Sequence, residues 1–220
     1  MRHVTEIAPH SVLTSFLSVL LDSFMTVSRD DAFELMLEWT DSESLRKHML
    51  AVESAVVAYA KKRGADEALW ASAALLHDFD YEKYPDVDTA AKTGHPYTGV
   101  AYLREQGYPE KMLDAILGHA DYTQVSRETD LAKVLYACDE ITGLITAAVL
   151  VRPDKDIANQ TLKSLKKKFK DKAFARGVNR DEVRHGAEDL GVELWDHVQF
   201  VLEAMQADAE KLGLDGRLAS

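Results

Sequence analysis

A chain of 220 residues is long enough for one sizeable core. With 46% hydrophobic and 29% charged residues it has the make-up of an ordinary soluble globular protein. A net charge of −11 argues against nucleic acid as a partner, since a phosphate backbone is repelled unless a local basic patch intervenes. The single cysteine, Cys138, excludes an intrachain disulfide framework and fits a reducing cytoplasm.

Val12 to Phe24 is too short to span a bilayer. It carries Ser15, Ser18, Asp22 and Ser23, and no small-residue cleavage pattern comes after it. It reads as an amphipathic helix with Val12, Phe16, Val19, Leu20 and Phe24 near one face, packed on the domain or on a second subunit rather than on a membrane. Residues 1–24 are expected to be a helical extension, 25–214 the domain and 215–220 a C-terminal tail. A homo-oligomer is compatible with this division.

Helical periodicity dominates the chain from Met25 onward. Ser28-Arg29-Asp30-Asp31 caps a helix through Trp39. Asp41-Ser42-Glu43 starts a longer one with Leu45, Met49, Val52, Val56 and Tyr59 on its apolar stripe, stopped at Gly64. Asp66-Glu67 begins a third that runs into His77-Asp78. Asp80 to Gly94 is polar and irregular, a loop expected to lie over the site. Helix resumes near His95-Pro96 to about Gln106, and Pro109 sits in the first turn of the next, ending near His119. Asp130 opens a helix through Val149, broken by Pro153. A lysine-rich helix is predicted from Asp156 to Lys170, with Ala158, Leu162, Leu165 and Phe169 inward. Asn179 caps another, and Glu193 to Leu212 is the last. Strand signals are nearly lacking, so the expected fold is an all-α helical bundle.

Four histidines and two aspartates recur along these helices: His48, His77-Asp78, His95, His119 and Asp139. Six donors are too many for one catalytic zinc, which usually takes about three protein ligands. They suit two ions that share a carboxylate and keep positions open. His48 lies between Leu45 and Val52 on an apolar face, and Asp139 lies between Leu135 and Thr142, where an unpaired carboxylate is costly. Each residue has a plainer reading: a satisfied core histidine, a helix-end histidine favoured by the dipole, or an aspartate paired with arginine. Their order and shared helical setting favour a metal site. His3, His10, His185 and His197 receive no chemistry, the last two because they lie among charged residues.

The segments Leu45-Arg46-Lys47-His48-Met49, Ala74-Leu75-Leu76-His77-Asp78-Phe79-Asp80-Tyr81 and Lys133-Val134-Leu135-Tyr136-Ala137-Cys138-Asp139-Glu140 together resemble the HD superfamily of metal-dependent phosphohydrolases. The likeness runs from about Met25 to Leu214. It implies an α-helical bundle with His48, His77, Asp78 and Asp139 as core ligands. Two additional histidines, here His95 and His119, resemble members with two metals. Carried over, Asp78 bridges, one ion takes His48, His77 and Asp139, and the other takes His95 and His119. The implied cofactor is a pair of divalent transition-metal ions, with iron, manganese, cobalt, nickel or zinc all suited to such donors. Gly107-Tyr108-Pro109 matches a signature of the cyclic-dinucleotide subgroup, but Phe79-Asp80-Tyr81 departs from that subgroup's lysine-containing extension.

The resemblance implies a small phosphorylated substrate, a phosphate ester or nucleotide, attacked by a metal-activated water. Asp78 orients the bridging species, Asp80 and Glu82 are candidate proton donors to the leaving group, and Thr142 a candidate support for Asp139. Arg152, Lys163 and Lys167, in a basic segment of an otherwise acidic chain, are candidate substrate contacts on a cationic rim. No aromatic interleaving there speaks for nucleic acid. The same six-ligand pattern resembles diiron oxygenases of the superfamily that cleave C–C or C–P bonds. A regulatory protein keeping only the bundle is the third reading.

Overall fold

The computed structural model describes residues 27–219, and the expected N-terminal extension, with His3 and His10, lies outside them. The helices obey the cap chemistry of the chain. The Ser28 hydroxyl accepts from the Asp31 N–H to start α1 (Arg29–Trp39). Ser42 does the same for α2 (Glu43–Arg63), and Asp66 for α3 (Glu67–Leu76). Gly64 ends α2 at φ 64°, a left-handed position that a side chain resists. Lys61, Lys62 and Arg63 fill the last turn of α2, where cations complement the carbonyl end.

Residues 80–94 form the expected loop, pinned by a single antiparallel bridge between Asp88 and Thr93. Next in the chain are α4 (Tyr97–Glu105) and α5 (Glu110–Gly118), then a short 3₁₀ turn at Asp121–Thr123. α6 (Asp130–Leu150), capped by Thr129, is the central rod. It packs against α2, α5, α8 and α9. α2 in turn lies against α3, so α2, α3 and α6 enclose the core, with Met49, Val52, Leu75, Leu76, Leu135 and Ile141 fully buried. The chain closes with α7 (Leu162–Lys170), α8 (Arg180–Asp189), α9 (Leu194–Ala207) and α10 (Ala209–Leu212). The fold is all-α, with no strand among the described residues beyond two isolated bridges. None of the described helices is long and apolar enough to cross a membrane.

Three local expectations are corrected. The lysine-rich helix begins at Leu162 rather than Asp156, because the Thr161 hydroxyl caps it at Ser164 N–H and Asp156 instead closes a separate 3₁₀ turn at Ile157–Asn159. Ile157, not Ala158, supplies the buried side chain there. The last helix breaks at Asp208, whose carboxylate is held by the Ser54 hydroxyl of α2 and by Lys211. His197 is not among solvated charges. It is buried on α9, with Nε2 against the Ala137 carbonyl and Nδ1 against the Tyr59 hydroxyl, each at 2.8 Å. Burial keeps this imidazole below its ordinary pKa, so it serves as a neutral clamp between α2, α6 and α9.

Gly186 lets α8 lie directly on α6: a Cβ there would stand 2.6 Å from the Ala137 Cα. The obstacle is backbone and cannot rotate away. Gly186→Ala is expected to cost about 1–3 kcal/mol, measured as a lowered urea midpoint with unchanged slope. An unchanged midpoint would mean that the two helices slide apart freely.

Candidate metal centre

Five elements bring the six donors together. His48 comes from the second turn of α2, His77 and Asp78 from the end of α3, His95 from the end of the 80–94 loop, His119 from the end of α5, and Asp139 from the middle of α6. Two trios result. His48, His77 and Asp139 form one, and Asp78, His95 and His119 the other; each offers three ligand atoms close enough to hold one ion.

Asp78 stands between them. Its Oδ2 lies 3.6 Å from His48 Nε2 and 3.5 Å from His77 Nε2. Its Oδ1 lies 3.3 Å from His95 Nε2 and 3.4 Å from His119 Nε2. Asp139 Oδ1 is 2.9 Å from His48 Nε2 and 3.6 Å from His77 Nε2. Metal bonds of about 2.0–2.2 Å place neighbouring donors around one ion roughly 3–3.5 Å apart, so these edges match the spacing of a coordination shell. The His77 Nε2 adds an independent sign. It is buried, and no hydrogen-bond partner reaches it, although a buried polar atom normally finds one. An imidazole nitrogen without a partner, facing two carboxylates and a second imidazole, fits a metal ion.

The chain fixes each ring from behind. His77 and His119 both stand just past the last turn of a helix, where carbonyls lack partners. His77 Nδ1 donates to the Ala74 carbonyl at 2.8 Å and His119 Nδ1 to the Ile116 carbonyl at 2.5 Å. Each Nδ1 therefore keeps its proton, and the Nε2 lone pair points inward. His95 uses a carboxylate instead: its Nδ1 donates to Asp80 Oδ1 at 2.7 Å. The other Asp80 oxygen accepts from the Gly99 N–H at the start of α4, also at 2.7 Å. Tyr81 packs edge-on against His95, and the Tyr122 hydroxyl donates to the His95 carbonyl.

This crowding sets the electrostatics. Burial alone would lower the His77 pKa, but Asp78 and then Asp139 outweigh it and raise the imidazole to about 9. His119 is raised in the same way, chiefly by Asp78 acting against burial. Burial would raise Asp78 and Asp139, yet the imidazoles beside them hold both carboxyls well below the usual range. The pocket is thus a site of paired charge in which a cation can replace protons. Solvent reaches it at His48, Asp139 and Asp78, whose side chains are 24%, 19% and 16% exposed, while the His77 side chain is fully buried.

Several expected roles do not match their positions. Asp80, the expected proton donor, is buried, and its two oxygens accept from His95 Nδ1 and the Gly99 N–H. The Thr142 hydroxyl bonds the Asp139 backbone carbonyl at 2.7 Å, not its carboxylate. Arg152 is clamped by Asp154, and neither it nor Lys163 nor Lys167 lines the cavity that opens at His48. Of their neighbours, Lys166 and Lys168 lie over the rings of Trp195 and Phe174, so part of the lysine face is spent on packing. The aids that sequence reasoning missed are the carbonyls of Ala74 and Ile116, the Asp80–His95 pair and Gly99. A signal existed for the first two, since both histidines end helical patterns.

Residues 45–144 match the family model of the HD domain, a span that contains every donor of both trios. Over this span the chain is similar to the HD domain. No curated protein and no solved structure matches the chain.

Proposed function

We propose that this protein is a dinuclear metal phosphohydrolase acting on a small phosphate ester. The observation that carries the reading is the Asp78 carboxylate, one oxygen turned to each histidine-containing trio. His48, His77 and Asp139 would hold one ion, His95 and His119 the other, with Asp78 shared. Ions held there supply Lewis acidity toward a phosphoryl oxygen and toward the attacking water. Asp78 and Asp139 keep the cluster anionic enough to retain divalent cations, and the imidazoles would give up their protons to act as neutral donors. His77 and His119, locked by their helix ends, keep that geometry through turnover. Hydrolysis forms a bond from the water oxygen to phosphorus and breaks the phosphorus–oxygen bond to the alcohol. The protons of water end on the alcohol and the phosphate.

The test is elemental analysis of protein purified without added metal, then phosphate-ester turnover with manganese or cobalt, with and without oxygen. Two equivalents of metal and turnover independent of oxygen are expected. A strict need for iron and consumption of O₂ would make it an oxygenase; metal without turnover would leave a regulatory bundle.

Asp80 gives a narrower prediction. Asp80→Asn removes the charge behind His95 and is expected to weaken metal at the His95/His119 position by about 10–100-fold, leaving the other ion bound. Gly99→Ala should act in the same direction, because its Cβ would stand 2.7 Å from the Asp80 Cγ. Competition with a chelator measures both. Equal weakening of the two ions would show that Asp80 supports the fold and not one histidine.

A further inference from the structure

A cavity of about 650 Å³ borders the candidate metal centre at His48, the one of the six donors in its lining. That volume falls within the range of about 300–1,000 Å³ typical of small-molecule sites. Its floor is one face of α6, running from Gly143 through Ala147 to Leu150. These positions succeed Asp139 at helical spacing, so the floor extends roughly 16 Å from the metal ligand at 1.5 Å per residue. The roof is the C-terminal segment, with Leu212, Leu214 and Leu218 turned to the space. Here the expected C-terminal tail packs back on the body: Asp215 bridges to Asp156, and the Leu218 carbonyl accepts from Lys155.

The charges on the wall cancel. Lys47 and Arg217 are matched by Glu43 and Glu210. Lys47 already donates to the Lys211 carbonyl, and Arg217 is held by Asp215 and Glu210. A polyphosphate or dinucleotide would bring negative charge into a wall with no net positive charge. An ester with one anionic end and an apolar body meets no such conflict: phosphate toward His48 and the metals, hydrocarbon along α6.

We infer that the substrate is a phosphate monoester with an extended apolar body, housed between α2, α6 and the 212–218 segment. The inference deepens, and rests on, the phosphohydrolase reading. Gly143 and Ala147 set the width of the channel and Leu150 and Leu218 its far end.

Calorimetric binding of methyl-, butyl-, hexyl- and octylphosphonate to the manganese-loaded full chain tests it without turnover. Affinity is expected to rise about fourfold per methylene while methylenes are being buried. Ala147→Trp fills the channel and should abolish the rise while metal content stays that of the wild type. Leu218→Asp, on a half-exposed side chain, should blunt it for the longest chains. A flat series in the wild type, or an identical rise in both variants, overturns the inference. A rising series with no ester hydrolysed would sink the hydrolase reading and leave the channel standing. Turnover of small esters with a flat series does the reverse, and failure to take up any of manganese, cobalt, iron, nickel or zinc removes both.

Discussion

Asp78→Ala is expected to empty both metal positions at once and to lower kcat/KM on a phosphate ester by about 10³-fold or more. The reasoning is geometric. Each Asp78 oxygen is within 3.6 Å of the donor atoms of a different trio, so no other single residue serves both. Losing the ions forfeits several kcal/mol of charge stabilisation in the transition state, and each 1.4 kcal/mol is about a factor of ten in rate. His95→Ala and His119→Ala should behave differently, dropping the content from two equivalents toward one. His48→Ala should strip the opposite position. Elemental analysis of the four variants separates a shared carboxylate from an ordinary ligand. Retention of two equivalents in Asp78→Ala, or loss of both in His95→Ala, would defeat the bridging assignment.

Much of the fold was legible because its signals are local. Ser28, Ser42, Asp66 and Asn179 cap the helices that their side-chain chemistry predicts, and Gly64 ends α2 where left-handed backbone is needed. For His48 and Asp139, helical period and apolar neighbours fix the face that each occupies, whereas the grouping of all six residues rests on the resemblance to the HD superfamily. What failed depends on partners distant in sequence. Asp80 reads as a loop carboxylate free to donate a proton until the loop folds back and sets it under His95 and Gly99. His197 reads as a surface residue because its neighbours Asp196 and Gln199 are polar, and only the packing of α9 on α2 and α6 encloses it. The rim lysines were weighted by charge alone, which is silent about direction. The channel beside His48 joins α2, α6 and the C-terminal segment, and no local pattern announces a space between elements.

Removing the metals should cost the protein about 4 kcal/mol per ion at free metal near a thousand times the dissociation constant. For a chain of this size each kcal/mol is worth about 2–4 °C in Tm, so one ion accounts for about 8–16 °C. The loss depends on pH in a direction that the metal-free site fixes. His77 has a folded pKa of about 9, above its unfolded value near 6.5. Its pairing with Asp78 and Asp139 therefore stabilises the metal-free protein fully below about pH 6.5 and is lost as pH rises through about 9. His119 shifts the same way. Asp78 and Asp139, held low, contribute above their unfolded pKa near 3.9 and lose that contribution as pH falls further. Metal requires the same imidazoles without their protons. The gap in Tm between loaded and chelated protein should consequently be widest near pH 9 and narrow toward pH 6.5, with protons released on binding at pH 7. Paired melting curves across that interval, and calorimetry in buffers of different ionisation enthalpy, measure both effects. A gap that widens on acidification, or binding without proton release, would mean that the imidazoles and carboxylates of this cluster do not share protons as their geometry requires.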